Sequence, residues 1–214
     1  MEASFWIRAW EEGRTNFHQS EFNAKLTKFF PTFSYEKNQK VLVPLCGKSK
    51  DMLWLKNEGL QVDGVELYES AVESFFAENK LVAKVEELAP FKVFSSAGIT
   101  LLVGDFFKLA KPLHYDFIYD RASLVALPLS MRSSYAQVIK NSLKAGGKYL
   151  LIVFEYDQAQ VDGPPFSISD EEVRRLYQDD FLITLMESEE LPAAEGKFAA
   201  LGTLRQNVYV LEKQ

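Results

Sequence analysis

Residues 41–55 read VLVPLCGKSKDMLWL: a short apolar run, a tight turn holding Gly47, then Met52, Leu53 and Leu55 at helical spacing behind Ser49 or Asp51, either of which can cap a helix. A strand that turns directly into a helix opens a β-α-β unit, and residues 61–67 supply its second strand after Gly59 ends the helix. The alternation continues downstream. Residues 70–79 form a helix with Val72, Phe75 and Phe76 inward, and residues 91–98 a hairpin-like insertion leading into a third strand at 99–103. Strands follow at 117–119 and 148–155, separated by a helix over 131–143 that Ala145-Gly146-Gly147 stops. Ser169-Asp170-Glu171-Glu172 reads as a helix start with acids in its first turn, and strands at 181–187 and 207–212 are close enough to pair antiparallel.

Upstream, Phe5, Trp6, Ala9 and Trp10 and then Phe22, Leu26, Phe29 and Phe30 fall at helical spacing until Pro31, and residues 13–19 have the composition of a lid-like connection. The expectation is an α/β fold of Rossmann-like type, with a mostly parallel seven-stranded sheet, an antiparallel edge strand and an N-terminal helical lid. One domain covers residues 1–214, the lid region being 1–39 and the sheet core 40–214.

With 214 residues and 47% hydrophobic side chains, one sizeable core is affordable, and length gives no reason to divide it. A net charge of −6 argues against a surface built for nucleic acid or an anionic membrane. Cys46 has no second cysteine to pair with, and with two histidines the chain shows no metal-ligand spacing. The N-terminus lacks the basic start and unbroken apolar stretch of a signal peptide, and no segment reaches the roughly 20 apolar residues of a membrane span. A soluble, cytoplasmic monomer with a small-molecule partner and no metal is expected.

In open parallel sheets ligands sit beyond the carboxyl ends of the strands. Leu45 and Gly47 occupy that position after strand one, although an ordinary strand-to-helix turn would look the same. Glu66 ends strand two nineteen residues after Gly47, close to the roughly 20-residue offset at which an acid reaches ribose hydroxyls. A solvated strand-end acid is the other reading. Asp105 and Phe106, after strand three, can hold an adenine edge and face, or can be a helix cap and a core ring. Asp120-Arg121, after strand four, either joins this rim or forms a surface ion pair. The glycine-rich dinucleotide fingerprint is absent, which favours an adenosyl cofactor without a pyrophosphate, S-adenosylmethionine. His18 and His114 have no partner spacing that makes a base or ligand, and Cys46 reads as a small hydrophobe.

Trp6 and Trp10 with Gly13, Phe17 and His18, then VLVPLCGKSKDMLWL, VDGVELYESAVESFF, GDFFKL and YDRASLVALP resemble the thiopurine S-methyltransferase family in order and spacing, through essentially the whole chain. The resemblance implies a Rossmann-like methyltransferase that moves a methyl group from S-adenosylmethionine to the sulfur of small thiols, leaving S-adenosylhomocysteine, with selenium or tellurium species as further acceptors. It places Trp10, Leu45, Glu66 and Arg121 against the cofactor and Phe17 near the acceptor. Arg121 is then the catalytic candidate, because a nearby positive charge favours an ionised thiol. Trp10 equally suits a core position and Phe17 an anchor for the lid. The rival classes are a nicotinamide-dinucleotide oxidoreductase and a non-catalytic sensor of S-adenosylmethionine or thiols.

Overall fold

The computed structural model describes residues 3–15, 17–109, 114–193 and 196–214. Two helices, α1 (Ala3–Glu11) and α2 (Ala24–Phe29), precede strand β1 (Lys40–Val43). There follow α3 (Asp51–Asn57), β2 (Gln61–Glu66), α4 (Glu69–Glu78), β3 (Lys84–Leu88), β4 (Phe91–Ser96) and β5 (Ile99–Val103). The remainder is β6 (Tyr115–Arg121), α5 (Leu129–Ser142), β7 (Leu143–Glu155), α6 (Asp170–Tyr177), β8 (Phe181–Pro192) and β9 (Thr203–Lys213). All strands join one sheet in the order β3-β4-β5-β2-β1-β6-β7-β9-β8.

β1 lies at the centre, paired in parallel with β2 on one side and β6 on the other. Its apolar run is buried on both faces for that reason. Val41 and Val43 join Leu26, Met52, Leu55 and Phe75 on the face covered by α2, α3 and α4. Leu42 joins Tyr135, Ile139, Val173 and Leu176 on the face covered by α5 and α6. From β1 the chain steps outward through β2 to β5, then returns to the other side of β1 for β6 and β7. That reversal opens a crevice at the carboxyl ends of β1 and β6, where open α/β sheets hold their ligands.

The sheet has nine strands where the sequence pattern predicts seven. β3 reads KVEEL and is exposed along its whole length, so it shows no inside-outside alternation for a pattern to detect. Its charges suit an edge, where they discourage pairing with another chain. β3, β4 and β5 run antiparallel, as do β7, β9 and β8, so the five-stranded parallel centre carries an antiparallel extension on each side. Ala145-Gly146-Gly147 is not a separate stop. It belongs to β7, with Gly146 at φ +72° where the register against β6 shifts. The α6 start is as expected, the Ser169 hydroxyl accepting the Glu172 N–H at 3.2 Å. No helix among the described residues is long and apolar enough to cross a membrane.

The alternation of β6 distributes polar groups to opposite faces. Asp120 is fully buried on the α5 side, where Oδ2 accepts the hydroxyls of Tyr135 at 2.6 Å and Tyr149 at 2.7 Å, and Oδ1 accepts the N–H groups of Ser123 and Leu124. Asp120-Arg121 is therefore not a surface ion pair. Burial raises the Asp120 carboxyl above its usual value, and the hydrogen bonds from the two tyrosines and the two backbone groups oppose that rise. Replacing Asp120 with Ala strands two buried hydroxyls at once, and a loss of roughly 3 kcal/mol or more is expected by urea denaturation; a loss below about 1 kcal/mol would mean that these hydroxyls find other partners.

Candidate functional site

The turn after β1 is built by backbone geometry that side chains seldom adopt. Leu45 has φ +44° and Gly47 φ +52°, both in the left-handed region. Three contacts hold the turn. Cys46 N–H donates to the Val65 carbonyl at 2.9 Å, Ser123 Oγ donates to the Pro44 carbonyl at 2.6 Å, and Gly47 N–H donates to Glu66 Oε2 at 2.8 Å. Glu66 is 6% exposed, and its other oxygen accepts the Tyr68 N–H at 2.9 Å. Burial raises this carboxyl above the ordinary glutamate value, while the N–H groups of Tyr68, Gly47 and Leu67 hold part of the rise back. These backbone partners leave part of the carboxylate's acceptor capacity, about four lone-pair sites in all, for a ligand in the crevice. Burial and the charge of Glu66 push the Cys46 thiol up, which keeps it protonated and suits its place in the wall better than any nucleophilic role.

Over this turn lies an aromatic cluster from the N-terminal segment. The Trp10 ring is near-parallel to Tyr68 at 6.2 Å and meets Phe17 edge-on at 5.4 Å, and Trp6 meets Phe17 at 6.0 Å. A Cβ on Gly47 would stand 3.0 Å from the Trp10 ring, so the glycine admits the indole. Phe17 is fixed through its backbone, its carbonyl accepting Nη2 of Arg121 at 2.7 Å. His18 stands beside these residues, and burial, with Lys48 next in effect, lowers its imidazole below the usual value.

These groups enclose a cavity of about 1150 Å³, and all eight residues singled out in the sequence line it: Trp10, Phe17, Leu45 and Gly47 with Glu66, Asp105, Phe106 and Arg121. Asp105 and Phe106, like Glu66 and Arg121, are also committed elsewhere. Asp105 caps the short 3-10 turn that follows, Oδ1 accepting the Phe107 N–H at 3.0 Å. Phe106 is 2% exposed with its ring 5.1 Å from Tyr135, so it reaches the cavity from within the core. The half-buried Phe107 lines the same wall.

Asp51 and Tyr119 also line the cavity; both fall inside the stretches that carry the family resemblance, VLVPLCGKSKDMLWL and YDRASLVALP, yet nothing in those stretches marks them as wall residues. Asp51 is not a helix cap. The N-cap position of α3 is Lys50, and the Asp51 carboxylate is buried between the Asn23 N–H and the Tyr119 hydroxyl, each at 2.8 Å. The far wall comes from loops after β7 and β8. Tyr156 donates to the Pro165 carbonyl at 2.6 Å, its ring 5.6 Å from Phe198, and Lys197 Nζ donates to the carbonyls of Asp162 and Pro164 at 2.7 Å each. The Gly- and Pro-rich composition of residues 157–169 after a predicted strand is the one sequence signal that marks this wall.

A crevice at the switch point of the sheet, with a buried acid closing the first turn and an aromatic cover, stands where Rossmann-like folds hold their ligands. The fold agrees with solved structures of low sequence identity. The YcgJ protein from Bacillus subtilis superposes with a TM-score of 0.68 at 12% identity, over 89% of this chain and 98% of that one. The 1,6-didemethyltoxoflavin-N1-methyltransferase of Burkholderia thailandensis, solved with bound 1,6-didemethyltoxoflavin and S-adenosylhomocysteine, gives 0.67 at 15% identity, over 99% of this chain and 87% of that one. The sequence profile described as Thiopurine S-methyltransferase (TPMT) matches residues 1–214. Proteins named Thiopurine S-methyltransferase from Bordetella petrii and Azotobacter vinelandii are 44% and 39% identical to this chain, each over the full length of both. The chain belongs to the thiopurine S-methyltransferase family, and it is an enzyme of the S-adenosylmethionine-dependent S-methyltransferase type.

The Gly47 turn yields a direct test. Gly47→Ala places a side chain at φ +52° and against the Trp10 ring, so denaturation followed by tryptophan emission is expected to show about 1–2 kcal/mol lost and an altered native spectrum. An unchanged spectrum would mean that the indole does not rest on this turn.

Proposed function

We propose that this enzyme transfers the methyl group of S-adenosylmethionine to the sulfur of a small thiol, with selenium or tellurium nucleophiles as further acceptors, as a single-domain monomer of a reducing cytoplasm. The observation that carries the reading is the cavity over Glu66 and Gly47. Its volume of about 1150 Å³ is above the roughly 300–1,000 Å³ usual for one ligand, enough for a nucleoside cofactor and a small acceptor together. The relatives from Bordetella petrii and Azotobacter vinelandii carry the thiopurine S-methyltransferase name, and the Burkholderia thailandensis neighbour holds S-adenosylhomocysteine.

Glu66 would accept the ribose hydroxyls with the acceptor capacity that its backbone partners leave. Leu45, Gly47 and Trp10 would pack against the nucleoside and the methionine arm, while Asp105 and Phe106 flank the base. When bound, S-adenosylmethionine supplies an electrophilic methyl group on a sulfonium sulfur. The residues around it contribute placement and exclusion of water. Phe17, with Trp6 and Trp10 behind it, shields the acceptor, and holding the reacting atoms close is the larger share of what such a site provides. Arg121 would favour the ionised thiol by its charge. A metal has no part in this scheme.

Calorimetric titration with S-adenosylhomocysteine tests the cofactor half. Binding by the wild type that weakens roughly 100-fold in Glu66→Ala is expected, since two hydrogen bonds to a charged group are lost. A protein that bound a nicotinamide dinucleotide and not S-adenosylhomocysteine would overturn the reading. The acid limb follows from the sign of the Glu66 shift. The carboxyl is raised above its ordinary value, so the ionised form that accepts hydroxyls is complete only above that raised value. Affinity is expected to fall as pH drops through it, with no such step in Glu66→Gln; a flat profile from pH 4 to 7 would remove the ribose role. For the acceptor half, Arg121→Ala is expected to slow transfer to weakly acidic thiols at least about tenfold more than to thiols already ionised, and equal losses would remove Arg121 from acceptor activation.

A further inference from the structure

The segment from Phe17 to Asn23 is held from beneath at two points. Near its start, Arg121 donates to the Phe17 carbonyl at 2.7 Å. At its end, Asp51 Oδ1 accepts the Asn23 N–H at 2.8 Å, while Oδ2 accepts the Tyr119 hydroxyl, also at 2.8 Å. Tyr119 and Arg121 are two residues apart on β6 and so share a face, which lets one strand serve both points. The two points differ in burial. Arg121 is half-buried, whereas Asp51 is 2% exposed. A carboxylate at that depth is sustained only when its oxygens are hydrogen-bonded, and one of its partners is the backbone of the N-terminal segment.

Asn23 is also where that segment joins the body of the protein. Its side chain caps α2, accepting the N–H groups of Lys25 at 2.9 Å and Leu26 at 3.3 Å. α2 in turn buries Leu26 and Phe29 in the core. A continuous chain of contacts thus runs from Tyr119 on β6 through Asp51 and Asn23 into α2.

We propose that Asp51 is a positioning residue for methyl transfer: it fixes Asn23 as the pivot of the N-terminal lid, so that Phe17 and His18 return to one place over the cavity after each exchange of ligand. The proposal rests on the reading of the cavity as the methyl-transfer site. The half-buried Arg121 contact is the one released when the lid lifts, and the buried Asp51 contact is the one that stays. Asp51 touches neither reacting group. It acts through the lid backbone, so its loss weakens acceptor binding before it slows the chemical step.

Trypsin cleavage after the exposed Arg14 reads lid opening without any activity assay. Asp51→Ala combined with Tyr119→Phe removes the anchor and leaves no buried hydroxyl unpaired. In that variant, cleavage after Arg14 is expected to rise about tenfold, with the acceptor KM rising similarly and kcat changing by less than about threefold. Asp51→Asn keeps an acceptor for the Asn23 N–H and offers its amide to the Tyr119 hydroxyl, so it is expected to return both readouts to within about threefold of wild type. A role confined to stability would raise cleavage at Lys140 in α5 in parallel with cleavage at Arg14. That result, or an unchanged rate after Arg14, overturns the proposal. If cleavage responds as expected and no thiol is methylated, the pivot stands and the functional reading falls.

Discussion

Glu66 closes the crevice from the β2 side, and the shape of the site depends on where its charge is held. One carboxylate oxygen takes the Gly47 N–H and the other takes the Tyr68 N–H, so the turn after β1 and the start of α4 are referenced to the same side chain. A buried charge stabilises such an arrangement only when donors meet it, and backbone N–H groups are the donors least able to move away. The left-handed conformations of Leu45 and Gly47 follow from this demand. They turn the Gly47 N–H inward and leave the turn flat enough for Trp10 to lie on it. Structure and the proposed ribose contact therefore use different lone pairs of one group, and any change to Glu66 moves both.

β6 provides the second reference. Its odd-numbered residues, Tyr119 and Arg121, face the cavity and the N-terminal segment, and Asp120 faces the opposite core. The Asp120 carboxylate locks Tyr135 of α5 and Tyr149 of β7 to the strand, so the rim on which Arg121 stands cannot tilt without breaking buried hydrogen bonds. A rigid rim under a segment held at two points is the arrangement in which side chains can be replaced accurately after a ligand exchanges.

The parallel centre was legible because its strands are buried on both faces and its helices are amphipathic, so the apolar period marks them even though Ala145-Gly146-Gly147 misleads as a helix stop. β3 escaped because an exposed edge strand has no buried face to write into its sequence. Within the site, the residues at the strand ends were recoverable, since topology alone sends Leu45, Gly47, Glu66, Asp105 and Arg121 to one rim. Asp51 was not. As the first residue of a helix it looks like a cap, and only the fold reveals that Asn23, 28 residues earlier, takes its charge. Lys197 and Tyr156 were equally hidden, because their partners are backbone carbonyls in a loop whose path no local pattern specifies.

Most polar groups lining the cavity are already engaged in holding the protein together: Asp51 with Asn23 and Tyr119, Asp105 with Phe107, Arg121 with Phe17, Lys197 with Asp162 and Pro164. For chemistry that relied on proton transfer by the protein this would be a poor use of side chains. It suits a reaction in which the cofactor brings the reactive bond and the protein brings shape, because groups fixed by folding need no reorganisation when the ligands arrive. The same economy bears on acceptor choice. One end of the cavity is walled by the strand rim, while the other is closed by the N-terminal segment and by the loops after β7 and β8, which are held in part by side chains donating to backbone carbonyls. On the proposed reading, discrimination among acceptors would fall to the loop-built part of the wall and cofactor binding to the strand rim.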